Sequence, residues 1–168
     1  MKTEKDFEEI IKKVEAMKKA GQVDLSMEED LSLAVMNLVN LEEHLFFTGA
    51  RTGKNDYYDL LNNVRKMRTE LLGKLIDKHE GETWCVAKHL LATAMRLMEV
   101  GTKLQGEGKK EEAADFFKRS FETYSMFWAI RLKIIDTDGF KEIAEKKEKD
   151  DPWTYQDIVN KLVDCCDE

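Results

Sequence analysis

The chain has 168 residues, of which 42% are hydrophobic and 36% charged, and its formal net charge is −7. This length predicts one domain with a sizeable core, and the apolar fraction excludes a disordered chain. The negative charge disfavours nucleic acid or an anionic membrane as the main partner, because phosphate binding needs a basic surface. We therefore expect a single helical domain over residues 1–168.

Cysteine usage and the lack of long apolar runs indicate a cytoplasmic protein. The cysteines are Cys85, Cys165 and Cys166, an odd number with two adjacent, which does not suit a disulfide scaffold. The first twenty residues are highly charged and do not resemble a signal peptide. No stretch of the sequence approaches the roughly 20 apolar residues that span a bilayer. We expect a reducing compartment and no membrane partner.

Apolar residues recur at the helical period along almost the whole chain, and no segment alternates at the period of a strand. The predicted helices cover about residues 5–20, 26–47, 56–78, 83–104, 110–135, 140–149 and 152 onward. Short loops join antiparallel neighbours. The fold class expected is therefore all-α: an antiparallel bundle with a core of four helices at about 26–135. An extra N-terminal helix and two short C-terminal helices are attached to it.

Several helix boundaries carry local signals. Ser26 and Glu29 have the spacing of a capping box at the start of the second predicted helix. Asn55 is a predicted N-cap after the glycine-bearing loop 48–55. Pro152 suits the first position of the last helix. These signals place the loops between the helices of the predicted bundle.

Two predicted helices carry small and large residues at a recognisable spacing: Leu97, Val100, Gly101, Leu104, Ala113, Phe117 and Ser120. The hairpin over residues 94–127 therefore resembles one tetratricopeptide repeat, in which small residues let two helices approach closely. Leucine replaces the usual tryptophan and tyrosine, serine replaces an alanine, and the closing proline is absent. No second copy follows at the repeat period. Any close antiparallel helix pair also needs small residues at its contact, so this second explanation stays open.

Two opposite charges interrupt the apolar stripes of neighbouring predicted helices. Glu42 shares a face with Val35, Leu45 and Phe46, and Arg68 lies within a similar leucine-rich face. A charge in a buried stripe needs a partner, because desolvating it alone costs several kcal/mol. The structural explanation is a buried Glu42–Arg68 ion pair that sets the register of the two helices.

A ligand site is the functional alternative for these charges. Arg131 also falls on an apolar face, beside Tyr124 and Trp128. A cavity between the helices could hold a small anion, since guanidinium groups bind carboxylates and phosphates bidentately. Its predicted lining is Glu42, Arg68, Tyr124, Trp128 and Arg131, with Arg65 at the rim. Arg131 could instead stack on Trp128 or Tyr124, or extend to solvent.

A metal site is a further alternative. Cys85 and His89 stand four residues apart on one predicted helix, a spacing that can chelate zinc, and His44 is a possible third ligand. A solvated face explains the same stripe of that helix, except that a cysteine prefers burial. No Glu-x-x-His motif of the di-iron proteins and no nucleophile motif occurs in the sequence. The sequence therefore requires no cofactor.

Aromatic residues crowd the helix predicted over 110–135. Helical spacing places most of them in the core, whereas Phe116 and Phe127 extend the face sideways, and Phe47 lies on a polar face. Such additional apolar surface is typical of a second contact surface. We expect a non-enzymatic scaffold or protein-interaction module that binds a protein partner or self-associates, for example as a homodimer.

Overall fold

A computed structural model describes residues 25–76 and 82–133, together with Lys12, Glu15, Ala16 and Lys19. The two long ranges form four helices: α1 (Ser26–Thr52), α2 (Asp56–Leu72), α3 (Glu82–Gly106) and α4 (Lys110–Arg131). The described residues contain no strand, which confirms the all-α class. Most of the helix predicted over 5–20, and both helices predicted after residue 135, lie outside the described residues.

α1 and α2 run antiparallel, as do α3 and α4, and the four helices share one core. α1 packs along α2 and α3, and α3 packs along α4. Glu42 meets Arg68 while Gly49, further along α1, meets Tyr58 at the start of α2, so these two helices run in opposite directions. The core cluster draws on all four helices and the turn after α2: Val35, Met36, Leu72, Leu75, Ile76, Trp84, Cys85, Ala87, Leu91, Ala94, Phe127 and Ile130. No helix among the described ranges is long and apolar enough to cross a membrane.

The ends of α1 differ from the sequence prediction. The N-cap is Leu25, whose carbonyl oxygen accepts a 2.8 Å hydrogen bond from the Glu29 backbone N–H, so the N-cap lies one residue before the predicted position, Ser26. The helix continues to Thr52 and stops at Gly53, whose φ of 67° is left-handed. Glycine adopts this conformation without the steric cost that other residues meet. Gly49, which favoured a loop in the sequence, lies inside the helix.

The other boundaries follow the prediction more closely. Asn55 is the N-cap position of α2 as expected, although its side chain makes no capping hydrogen bond. α2 ends at Leu72, earlier than predicted, and the following turn places Leu75 and Ile76 in the core. These apolar residues produced the helical pattern beyond Leu72, because core burial alone gives the same signal as a longer helix.

A close approach joins α3 and α4. A methyl group at Gly101 would lie 2.7 Å from the Phe117 ring and 3.3 Å from the Ala113 carbonyl oxygen. Next to this contact, the Ser120 hydroxyl donates a hydrogen bond of 2.7 Å to the carbonyl oxygen of Ala94. The small residues at 101, 113 and 120 therefore serve the contact between this one helix pair. The resemblance of residues 94–127 to a tetratricopeptide repeat remains a prediction.

Replacement of Gly101 by valine should weaken the α3–α4 contact. The added side chain meets the Phe117 ring and a backbone oxygen that cannot move independently, and overpacking of this kind costs about 1–3 kcal/mol. Urea denaturation followed by circular dichroism measures the change in the free energy of unfolding. The matched control is Gly106→Val in the same helix, because nothing lies within 4 Å of a side chain added there. Equal losses in the two variants would contradict the close approach.

Candidate functional site

Glu42 and Arg68 form the ion pair that the sequence predicts. Arg68 Nε donates to Glu42 Oε1 at 2.8 Å, and Arg68 Nη2 lies 3.4 Å from Glu42 Oε2. Arg68 is only 1% exposed and Glu42 15%. The bidentate contact satisfies two guanidinium donors between α1 and α2. The pairing predicted from the two apolar stripes is confirmed.

Arg131 has a different partner. Its Nη2 donates to Glu28 Oε1 at 3.0 Å, which joins the end of α4 to the start of α1. One atom on each side, Arg131 Nε and Glu28 Oε2, is buried and makes no hydrogen bond. The sequence analysis did not identify Glu28. Its position exactly two heptads before Glu42, on nearly the same face of α1, was a usable signal.

The aromatic residues near Arg131 pack against one another. Tyr124 stacks on Phe127 with ring centroids 6.2 Å apart, and Trp128 meets both rings edge to face. The Tyr124 hydroxyl lies 2.6 Å from Ser32 Oγ. Because the Ser32 proton is directed at the Glu29 carbonyl, Tyr124 is the donor in this pair. Tyr124 therefore links α4 to α1 one turn away from the Arg131–Glu28 pair on α1.

The structure separates the residues of the predicted anion site. The carboxylate partners of Arg68 and Arg131 are 14 positions apart on α1, which corresponds to about 21 Å along the helix axis. The two guanidinium groups therefore cannot converge on one small ligand. Arg65 is exposed on α2, where it helps to line an open hollow of about 400 Å³ whose described walls all belong to that helix.

The predicted metal ligands differ in their exposure. Cys85 is 2% exposed, whereas His44 and His89 are exposed on α1 and α3. Within residues 25–76 and 82–133, no group of three histidine, cysteine or acidic side chains could hold a metal ion. The burial of Cys85 agrees with the general preference of cysteine for buried positions. α3 packs against both α1 and α4, so its buried surface extends around the helix as far as this residue.

Exposed phenylalanines are the feature that sequence periodicity placed least well. Phe121 is 71% exposed and Phe117 37%, while Phe127, predicted to extend the face sideways, is fully buried. Phe46, predicted to lie on the core face of α1, is 50% exposed and contacts the ring of Phe47 at 5.2 Å. Phe47 is 52% exposed, as its polar face predicted.

Comparison of the chain with protein families, with curated proteins and with solved structures finds no match in any of the three. The functional argument therefore depends on the geometry of the chain itself.

Substitution of Arg68 by alanine should destabilise the fold by about 3–5 kcal/mol, because it leaves the Glu42 carboxylate buried without its partner. The control is Arg96→Ala, which removes an exposed ion pair with Glu43 and should cost at most about 1 kcal/mol. Both values come from urea denaturation. A double substitution, Glu42→Leu with Arg68→Met, should recover most of the loss, since an apolar pair needs no compensation. A single-variant loss near zero would exclude a structural role for the pair.

Tyr124→Phe should cost about 0.5–1.5 kcal/mol through loss of the hydrogen bond to Ser32. A double-mutant cycle with Ser32→Ala isolates this term from the other contacts of each residue. We expect a coupling energy within the same range in thermal or urea unfolding. Fully additive effects would show that the two hydroxyl groups do not interact.

Proposed function

We propose that this chain is a non-enzymatic helical scaffold or protein-interaction module of the cytoplasm. The observation that carries the proposal is the exposure of four phenylalanines on packed helices: Phe46, Phe47, Phe117 and Phe121. Single exposed apolar residues are ordinary, but grouped aromatic residues on a folded surface mark contact sites. Phe46 and Phe47 touch each other, and Phe117 and Phe121 are one turn apart on α4.

Ion pairs fix the helices that carry these rings to the rest of the bundle. α1 is fixed to α2 by the Glu42–Arg68 pair and to α4 by the Glu28–Arg131 pair. Aromatic side chains contribute large contact areas at a low cost in side-chain entropy, which is why they dominate the centres of protein interfaces. Rigid aromatic groups on the outside of a bundle suit the capture of a partner helix or another apolar protein surface.

The charge distribution supports a protein partner over a polyanion. The chain has a net charge of −7, and both arginines with half-buried or buried side chains, Arg68 and Arg131, pair with carboxylates. Neutralised guanidinium groups attract phosphate weakly, because the neighbouring carboxylate repels it. A protein surface with apolar and mixed-charge character is the better match.

Substitution of the exposed phenylalanines should abolish partner binding without unfolding the chain. In affinity capture from source-cell lysate with quantitative mass spectrometry, we expect Phe46→Ser/Phe47→Ser or Phe121→Ser to lower recovery of a specific partner by about tenfold or more. Met27→Ser is the control, since Met27 is 78% exposed but lies apart from the four rings in the sequence.

Native mass spectrometry of the purified chain tests the same proposal independently. An interaction module should give the mass of the bare chain, 19.5 kDa, or an integer multiple of it. An additional mass that is lost on denaturation would identify a bound metal or small molecule and would contradict the proposal, as would partner recovery that neither phenylalanine variant changes.

A further inference from the structure

One exposed stripe of α4 has the properties of a surface that pairs with itself. Ala114, Phe117, Phe121 and Ser125 follow one another at helical spacing and are all exposed. We call these four residues the α4 stripe. Its large side chains lie in the middle and its small ones at the two ends. Trp128, half-buried, continues it towards the end of the helix.

The side-chain sizes along the α4 stripe make it complementary to a second copy of the stripe that runs in the opposite direction. When two copies of α4 are placed antiparallel with Phe121 at the two-fold axis, Phe117 lies opposite Ser125 of the second copy, and Ala114 lies opposite Trp128. Large residues then face small ones on both sides of the axis, which is the condition for interlocking helix surfaces. A two-fold interface uses the same patch on both copies, so such self-complementarity is required of it.

The polar groups of the stripe do not oppose this contact. The Ser125 hydroxyl donates to the carbonyl oxygen of Phe121 in its own helix at 2.8 Å. It therefore needs no acceptor from a partner when an aromatic ring covers it. Ala114 has no polar side-chain atom. The α4 stripe can lose its water without leaving a side-chain donor unpaired.

Charges beside the stripe favour the antiparallel direction. Lys118 and Glu122 lie on one edge of it, 74% and 53% exposed, and their contact within the helix is a loose 3.8 Å. In the antiparallel arrangement, Lys118 lies near Glu122 of the second copy, and the pair is repeated across the axis. A parallel arrangement would put the two charged edges on opposite sides of the interface, so neither pair could form.

We propose that two copies of this chain associate through the α4 stripe as an antiparallel, two-fold homodimer. The inference rests on the proposed function and names the partner of one of its surfaces. A single helix pair makes a small interface, at or below the roughly 1,200 Å² of weak specific complexes. The dimer should therefore be a reversible, concentration-dependent equilibrium.

Sedimentation velocity of the purified full chain over a concentration series tests the proposal. The wild type should shift from the 19.5 kDa monomer towards twice that mass as concentration rises. Phe121→Arg should lower the association constant by about a hundredfold, because it brings two like charges to the axis. Leu60→Arg is the matched control, since it introduces the same charge at a half-exposed apolar residue of α2 and should leave the equilibrium unchanged.

Charge reversal tests the direction of the helices. Lys118→Glu alone should weaken the dimer, and adding Glu122→Lys should restore it, because the opposite charges then face each other again. Equal effects of Phe121→Arg and Leu60→Arg, or no recovery in the double reversal, would overturn the α4 interface.

A chain that stays monomeric at every concentration would also overturn the inference. Phenylalanine-dependent capture of a different protein would then still support the proposed interaction function. If the chain neither self-associates nor captures another protein through these phenylalanines, both proposals are rejected.

Discussion

Burial of the Arg68 guanidinium is the constraint on which the α1–α2 half of the structure depends. With 1% of its surface exposed, this charge is compatible with folding only where a carboxylate meets it with suitable geometry. Glu42 can meet Arg68 in this way at only one relative shift of the two helices along their axes and at one rotation of each helix. The pair therefore sets the register of the hairpin more strictly than leucine packing, which tolerates shifts between similar side chains.

Close backbone packing depends on this register. Gly49 lies against the Tyr58 ring, where a methyl group would come within 2.8 Å, and this contact is two turns beyond Glu42 on α1. A different helix register would place a side chain at the same point. The charge pair and the glycine thus agree on one arrangement, and agreement between independent local features is what distinguishes a single native state from similar compact alternatives.

α1 also contacts the second half of the bundle through further polar side chains. Glu28 and Ser32 meet Arg131 and Tyr124 of α4, and Glu43 meets Arg96 of α3. The stripe of α1 that makes the Glu28 and Ser32 contacts continues towards the C-terminal end of the helix as far as Phe46, which is half exposed. Likewise, the α4 face that carries Tyr124 continues to Phe117 and Phe121. Packing between the helices thus ends before their apolar surface does, and the remaining aromatic surface is the basis of the functional proposal.

The sequence by itself determined the all-α class, the four helices of the core, and the need of Glu42 and Arg68 for each other. Each of these follows from local periodicity, or from the cost of burying a charge. Glycine could not be interpreted in the same way: Gly49 and Gly53 are four residues apart, yet one permits a helix contact and the other ends the helix.

Only the tertiary structure decided which faces of a helix are covered, because coverage depends on where the other helices lie. It paired Arg131 with Glu28 and kept it about two heptads from the Glu42–Arg68 pair. It buried Cys85 between neighbouring helices, and it exchanged the expected roles of Phe121 and Phe127. Helical spacing shows that residues share a face, but the burial of that face depends on the partner helix packed against it.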